Sequence, residues 1–159
     1  MHFSIREIRP HDNGAVERII RVCLIEFGGN HAGTAWTDPN LGRFSEVYAS
    51  EGNKYWVGLD ARGTIVGGAG IGCLDAQRRI CELQKMYCLQ TARGTGLAKA
   101  LLDTALGYAR QFYAACYLET LENMVAAQRF YEKNGFVRVQ APVVPTAHFA
   151  CDVRYLKKL

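Results

Sequence analysis

No Cys-x-x-Cys pair occurs among the 159 residues, and no grouping of Cys with His has the spacing of a zinc site, so no metal is expected. The six cysteines, Cys23, Cys73, Cys81, Cys88, Cys116 and Cys151, are scattered through apolar surroundings, unlike the dense framework of a small secreted domain. They read as buried free thiols, which points to a reducing, cytoplasmic compartment. Long apolar runs are missing too. The longest uncharged stretches, Gly63–Leu74 and Val139–Cys151, are too short and too rich in Gly or Pro to span a bilayer. Met1–Pro10 mixes charged and apolar residues and holds no signal-peptide core. Nor does one charge dominate. Nineteen Lys and Arg against fifteen Asp and Glu leave +4, which suits an anionic ligand but is too mild and dispersed for nucleic acid.

What remains is a chain able to bury a core. With 49% hydrophobic and 21% charged residues it is not a disordered sequence, and its length suits one domain over 1–159. No internal repeat is visible. Residues 3–8 alternate as a first strand. Asp12 or Asn13 caps a helix whose apolar residues Val16, Ile19, Ile20, Cys23, Leu24 and Phe27 recur three and four apart until Gly28-Gly29. Residues 30–40 read as a loop and 41–50 as a weaker helix. Three strand-like runs follow, Tyr55–Leu59, Thr64–Ile71 and Ile80–Leu89. Their connections are too short for crossover helices, so they form an antiparallel meander. Gly94–Phe112 carries the strongest helical pattern. A strand at Cys116–Thr120, a helix over Val125–Lys133 and a last strand over His148–Leu156 complete the chain. The order β-α-α-β-β-β-α-β-α-β-β predicts an α/β (mixed α+β) domain, a mixed sheet with helices on both faces.

The junction Met86-Tyr87-Cys88-Leu89-Gln90-Thr91-Ala92-Arg93-Gly94-Thr95-Gly96-Leu97-Ala98-Lys99 is the most informative stretch. An apolar strand enters a glycine turn and a long helix starts at once. The first helical turn has unpaired N–H groups and the positive end of the dipole, and glycines let a phosphate approach it. Arg93 and Lys99 bracket that turn with positive charge. A P-loop would need Gly-Lys-Ser/Thr, but Lys99 lies between alanines. A dinucleotide fingerprint would need a third Gly where Lys99 stands.

The pattern Arg93-x-x-Gly96-x-Ala98 resembles Arg/Gln-x-x-Gly-x-Gly/Ala, the pyrophosphate-binding motif of the GNAT acetyltransferases. Cys81-Glu82-Leu83-Gln84-Lys85-Met86-Tyr87 resembles the family's fourth strand, and Phe130-Tyr131-Glu132-Lys133-Asn134-Gly135-Phe136 its Tyr-Glu-Lys-x-Gly-Phe signature. The element order is also similar. The ending His148-Phe149-Ala150-Cys151-Asp152 with Tyr155-Leu156 resembles a bacterial subgroup whose acceptors are mostly undefined.

The resemblance implies the GNAT fold and acetyl-CoA as acyl donor. It implies two parallel strands that splay where the pantetheine arm enters, here the ends of Ile80–Leu89 and Cys116–Thr120. Backbone groups of Met86, Tyr87 and Cys88 would pair with the arm, and Gly94, Thr95, Gly96, Leu97, Ala98 and Lys99 would hold the pyrophosphate. Tyr131 matches the tyrosine that protonates the departing sulfur, although an aromatic residue at this helix–sheet face also serves as packing. Glu119 aligns with a family glutamate that acts as a base in some members, and Glu82 on the neighbouring strand competes for that role. Either also fits as a salt-bridged strand residue. Many relatives carry an Asn seven residues before the signature Tyr. Met124 stands there, so Asn123 either serves through a one-residue shift or caps the helix. An acyl-Cys relay through Cys88 or Cys151 lacks a His placed to activate either thiol. Phe27, Trp36, Tyr48 and His148 are candidates for the acceptor pocket, and no acidic cluster in the sequence demands a polyamine. The resemblance thus implies an N-acetyltransferase acting on a primary amine of a small molecule, working as monomer or homodimer without nucleic acid or membrane. A protein or peptide amine, or a non-catalytic acyl-CoA-binding module, stands as the alternative.

Overall fold

Alternation along Lys54–Leu59 sends Tyr55 and Val57 to one side of a sheet and Trp56 to the other, and both sides are covered. The computed structural model describes residues 2–145 and 149–159. Its elements are β1 (Ser4–Glu7), α1 (Asn13–Glu26), α2 (Phe44–Val47), β2 (Lys54–Leu59), β3 (Ile65–Asp75), β4 (Ile80–Cys88), α3 (Leu97–Ala109), β5 (Ala115–Thr120), α4 (Val125–Lys133), β6 (Val137–Val139) and β7 (Val153–Lys158). Among the described residues the strands form one seven-stranded sheet in the order β1-β2-β3-β4-β5-β7-β6. Only β4 and β5 run parallel; every other neighbouring pair is antiparallel. No helix of the described residues is long and apolar enough to cross a membrane.

Helix α1 lays Val16, Ile20 and Leu24 on one face, against Tyr55, Val57, Phe44 of α2 and Tyr48 just after it. The three rings Phe44, Tyr48 and Tyr55 meet at centroid distances of 5.1–5.3 Å. They can do so because β3 offers glycine beneath them: a Cβ on Gly70 would come within 2.7 Å of the Tyr55 ring. Helix α3 lays Leu97, Leu101, Leu102, Ala105, Leu106 and Ala109 on the other face, against Trp56, Ala69 and Ile71. Burying two such apolar stripes is the main stabilising contribution, at about 1.5–3 kcal/mol per large aliphatic side chain.

Asp12 ties β1 to the start of α1. It is 2% exposed, accepts from both Arg6 guanidinium nitrogens at 2.7 and 3.0 Å, and accepts from the Arg9 N–H at 2.8 Å. The Arg6 hydrogen bond, opposed by burial, holds its carboxyl below the usual range. A depressed pKa contributes stability above the unfolded value near 4 and loses it as pH falls through the folded value. Asp12→Asn is expected to lower unfolding free energy by about 2 kcal/mol at pH 7. Urea melts should show the gap from wild type closing toward pH 3; an equal gap at both pH values would mean that the charge is irrelevant.

Several boundaries differ from the sequence reading, and four of them have a physical reason in the structure. The last strand starts at Val153, not His148. Thr120, the end of β5, already pairs with Val153, so earlier residues have no strand to join. The Ala150 N–H donates instead to the Gly33 carbonyl at 3.0 Å. His148 lies outside the described residues, and with Cys151 outside any strand the two cannot be set on opposite faces of one. Strand β3 continues to Asp75, because Cys73 and Asp75 still find Cys81 and Ile80 on β4. Helix 41–50 shortens to Phe44–Val47, and the helix expected from Gly94 begins at Leu97. Gly94 and Gly96 take φ of +74° and +90°, left-handed values that an α-helix does not accommodate.

Candidate active site

Strands β4 and β5 pair only at Ile80↔Ala115, Cys81↔Cys116 and Glu82↔Tyr117, and then part. A bulge in β4 accompanies the parting. Its register against β3 moves from Gly70↔Gln84 to Gly68↔Tyr87, which sets Lys85 and Met86 opposite Ala69 alone. Lys85 takes φ of +50°, an uncommon conformation for a residue with a Cβ, and the extra residue bends the strand.

On one side of the gap lies a cavity of about 270 Å³. Its walls include Met86, Tyr87 and Cys88 of β4, Arg93 and Gly94 of the following turn, Ala98 of α3, and Met124, Phe130 and Tyr131 around α4. The mouth at α3 is built for an anion. Ala100 is the first residue of the helix whose N–H is spent inside it, on Gly96 O at 3.1 Å, so those of Ala98 and Lys99 precede the ladder. A Cβ on Gly94 would meet nothing within 4 Å, and one on Gly96 would meet only Phe3, at 3.8 Å. This open, N–H-lined cradle beside an apolar cavity fits a pyrophosphate with a pantetheine arm.

Arg93 is held from three sides. It donates to Cys88 O at 3.1 Å, forms a two-pronged pair with Glu26 of α1 at 2.7 Å on each arm, and lies over the Phe27 ring at 5.4 Å. The guanidinium therefore joins α1 to the strand–helix turn. It also occupies the Cys88 carbonyl, so of the three backbone segments expected to meet the arm this one is already engaged.

Through the gap, Met86, Tyr87, Met124 and Tyr131 also border a narrow inner space of about 50 Å³, with Leu118, Glu119 and Cys151 opposite. Beyond it opens an outer chamber of about 310 Å³ whose wall includes Asp38, Tyr48, Glu82, Gln84, Lys85, Tyr117 and Glu119. Lys85 and Glu119 line both the inner space and the outer chamber.

Tyr131 is 8% exposed and touches Phe130, Phe136 and Tyr155 through its ring. Burial pushes its hydroxyl well above the usual pKa, so it stays protonated at neutral pH. Glu119 accepts from the Tyr117 hydroxyl at 2.9 Å and has Arg154 Nε at 3.7 Å. Glu82 accepts from the Gln84 amide at 2.7 Å, and burial raises its carboxyl above the carboxylate range. Lys85, 8% exposed at its side chain, pairs with Asp38 at 3.1 Å.

Burial also pushes the Cys88 and Cys151 thiols up to about 11. At neutral pH only about one molecule in ten thousand would carry either thiolate, which argues against a covalent relay. Denaturing mass spectrometry after rapid mixing with acetyl-CoA is expected to show no acetyl adduct on Cys88 or Cys151. An adduct appearing at the rate of turnover would overturn direct transfer.

The fold brings Tyr131, Glu119, Met86, Tyr87, Cys88, Arg93, Gly94 and Ala98 to two neighbouring spaces that share Met86, Tyr87, Met124 and Tyr131 as walls. Other expected residues stand apart. The Asn123 amide donates to Phe27 O at 2.7 Å, while Met124 takes the place on the cavity wall. Lys99 pairs with Asp103 on the exposed side of α3, Thr95 turns its hydroxyl to Ala92 O, and the Leu97 side chain sits in the core. Of the acceptor candidates Tyr48 lines the outer chamber, Phe27 lies in the cofactor-side cavity and Trp36 stacks with Arg21. Asp38 and Lys85 escaped the sequence reading, and so did the meeting of Asp38 with Glu82 and Glu119, two residues expected where the strands open, in one chamber. A lysine inside an apolar strand was the available signal for Lys85; three carboxylates far apart in sequence offered none.

The family model described as acetyltransferase (GNAT) domain matches residues 51–138. The chain is 40% identical over 158 residues to the uncharacterized N-acetyltransferase YjgM of Escherichia coli (strain K12), covering 98% of this chain and 94% of that protein. A crystal structure of a GNAT-family acetyltransferase from Staphylococcus aureus superposes with a TM-score of 0.86 at 24% identity, covering 99% of each chain. A GNAT superfamily phosphinothricin acetyltransferase from Sinorhizobium meliloti, solved with AcCoA, superposes at 0.77 with 22% identity, covering 100% of this chain and 89% of that one.

Proposed function

The chain belongs to the GNAT N-acetyltransferase family, and from that premise we propose that it moves the acetyl group of acetyl-CoA directly to a primary amine of a small molecule. The observation that carries the reading is that Tyr131 of α4 and Glu119 of β5 border the same inner space. Bound acetyl-CoA supplies an activated thioester carbonyl. Ala98 and Lys99 N–H groups, with Arg93 nearby, hold the pyrophosphate, and the stretch of β4 at Met86 and Tyr87, where it has parted from β5, guides the arm inward.

An alkylammonium near pKa 10 must lose a proton before its nitrogen can attack. Glu119, directly or through water, takes that proton. The amine nitrogen bonds to the carbonyl carbon and releases its second surplus proton to solvent, the carbon–sulfur bond breaks, and Tyr131 gives its proton to the departing sulfur. The proton on Glu119 returns to Tyr131 through solvent, which closes the cycle.

Thiol release from acetyl-CoA, followed across a panel of small amines, amino acids and peptides, tests the reading. Release with small amines supports it, and release confined to peptides transfers the assignment to protein amines. Tight acetyl-CoA binding without release across the panel would reduce the chain to a binding module.

A further inference from the structure

The outer chamber contains charges of both signs, but they are unevenly paired. Lys85 Nζ lies 3.1 Å from Asp38, and Arg154 Nε lies 3.7 Å from Glu119. Glu82 lines the same chamber, and among the described residues no cationic side chain comes within ion-pair distance of it. Its orientation is set. The Tyr48 hydroxyl donates to Gln84 Oε1 at 2.8 Å, which turns Gln84 Nε2 toward Glu82 at 2.7 Å. Depth separates it from Glu119. Glu119 reaches the inner space beside Tyr131, whereas Glu82 borders the spaces outside it.

Resting on the acetyl transfer proposed above, we infer that Glu82 is a specificity-determining residue: it lodges a second positive charge, an ammonium or guanidinium, on an acceptor whose reacting nitrogen lies further in, beside Glu119. The chamber then holds the body of a dicationic amine. An acceptor with a carboxylate would set a second negative charge near Glu82, while the Lys85 charge is already engaged by Asp38. A neutral tail would leave the half-buried Glu82 without compensation. The raised carboxyl of Glu82 agrees with this. Burial and the neighbouring Glu119 favour its neutral form, opposed by the Gln84 hydrogen bond and Lys85, and an arriving cation restores its charge.

Steady-state rates with a short α,ω-diamine, the monoamine of equal chain length and the corresponding ω-amino acid test the inference. Wild type is expected to favour the diamine over the monoamine by about 10- to 100-fold in kcat/KM. Glu82→Gln should erase that preference through KM, with kcat changed by no more than about threefold. Unchanged melting temperature and CoA affinity establish that the variant is folded, and the wild-type comparison stands without it. A preference for the amino acid, or equal efficiency with diamine and monoamine, overturns the inference. So does a kcat collapse shared by both amines in Glu82→Gln, which would make Glu82 the base. Turnover of amino acids or peptides alone leaves acetyl transfer standing and removes the dicationic acceptor; no release with any amine removes both.

Discussion

Tyr131→Phe is expected to lower kcat by about 10²- to 10³-fold while acetyl-CoA affinity holds. The ring contacts with Phe130, Phe136 and Tyr155 survive the change, so the variant loses the hydroxyl and little else. That hydroxyl is where the proposed chemistry needs a proton. Its pKa is raised by burial, so the proton stays in place as pH rises, and the donor is not lost by ionisation below about pH 10. Alkaline loss of rate in wild type must then come from another group. Single-turnover rates together with direct titration of acetyl-CoA separate the two quantities. An undiminished rate with intact binding would return Tyr131 to a packing role.

Gly96→Glu is expected to weaken CoA binding by at least about 100-fold. Two contributions combine. Gly96 has φ of +90°, and a side chain there adds roughly 1–2 kcal/mol of strain that loosens the turn. The added carboxylate also sits at the mouth where the N–H groups of Ala98 and Lys99 would meet phosphate. Steric conflict within the protein contributes little, since a Cβ would have its nearest contact at 3.8 Å. Gly96→Ala separates strain from charge: it should lower stability by about 1 kcal/mol and affect CoA far less. Affinity for pantetheine, which lacks the pyrophosphate, should respond less than affinity for CoA. Equal CoA affinity in Gly96→Glu and wild type would remove the phosphate assignment from this turn.

How far the fold could be read depended on whether the signal was local. The apolar spacing from Val16 to Leu24 and from Leu97 to Ala109 marked α1 and α3, and the buried residues are those the spacing selected. Helix α4 was legible residue for residue, because Asn134-Gly135 ends it sharply. The hairpin after β2 was marked by Gly63 and by Asp60, whose carboxylate accepts from the Arg62 and Thr64 N–H groups. The end of the chain was harder. Residues 150–152 look apolar enough for a strand, but pairing is decided by where β5 stops, which local composition does not contain.

The site divides in the same way. The cradle at Gly94–Lys99 is a property of one continuous segment: glycine conformations, a helix start and two basic residues are all adjacent in sequence. Its backbone geometry is therefore readable from the order of residues, whereas the pairing of Arg93 with Glu26 is not. Asn123 shows the limit of motif spacing, since a shift of one residue on the turn before α4 sends its amide to Phe27 and gives the wall to Met124.

The mild +4 charge and the absence of any acidic run suggested, at most, an anion-binding protein. For the proposed cofactor side the residues concerned are contiguous in the chain. The acceptor side depends on long-range packing. Asp38 comes from the loop before α2, Glu82 and Lys85 from β4, and Glu119 from β5, and only the bulge and splay of two parallel strands bring them to one chamber. By itself the sequence determined the elements and the glycine turn that opens α3, because those rest on interactions between near neighbours. The tertiary structure alone decided the charge of the acceptor chamber, because electrostatic balance depends on distances in space between residues far apart in the chain.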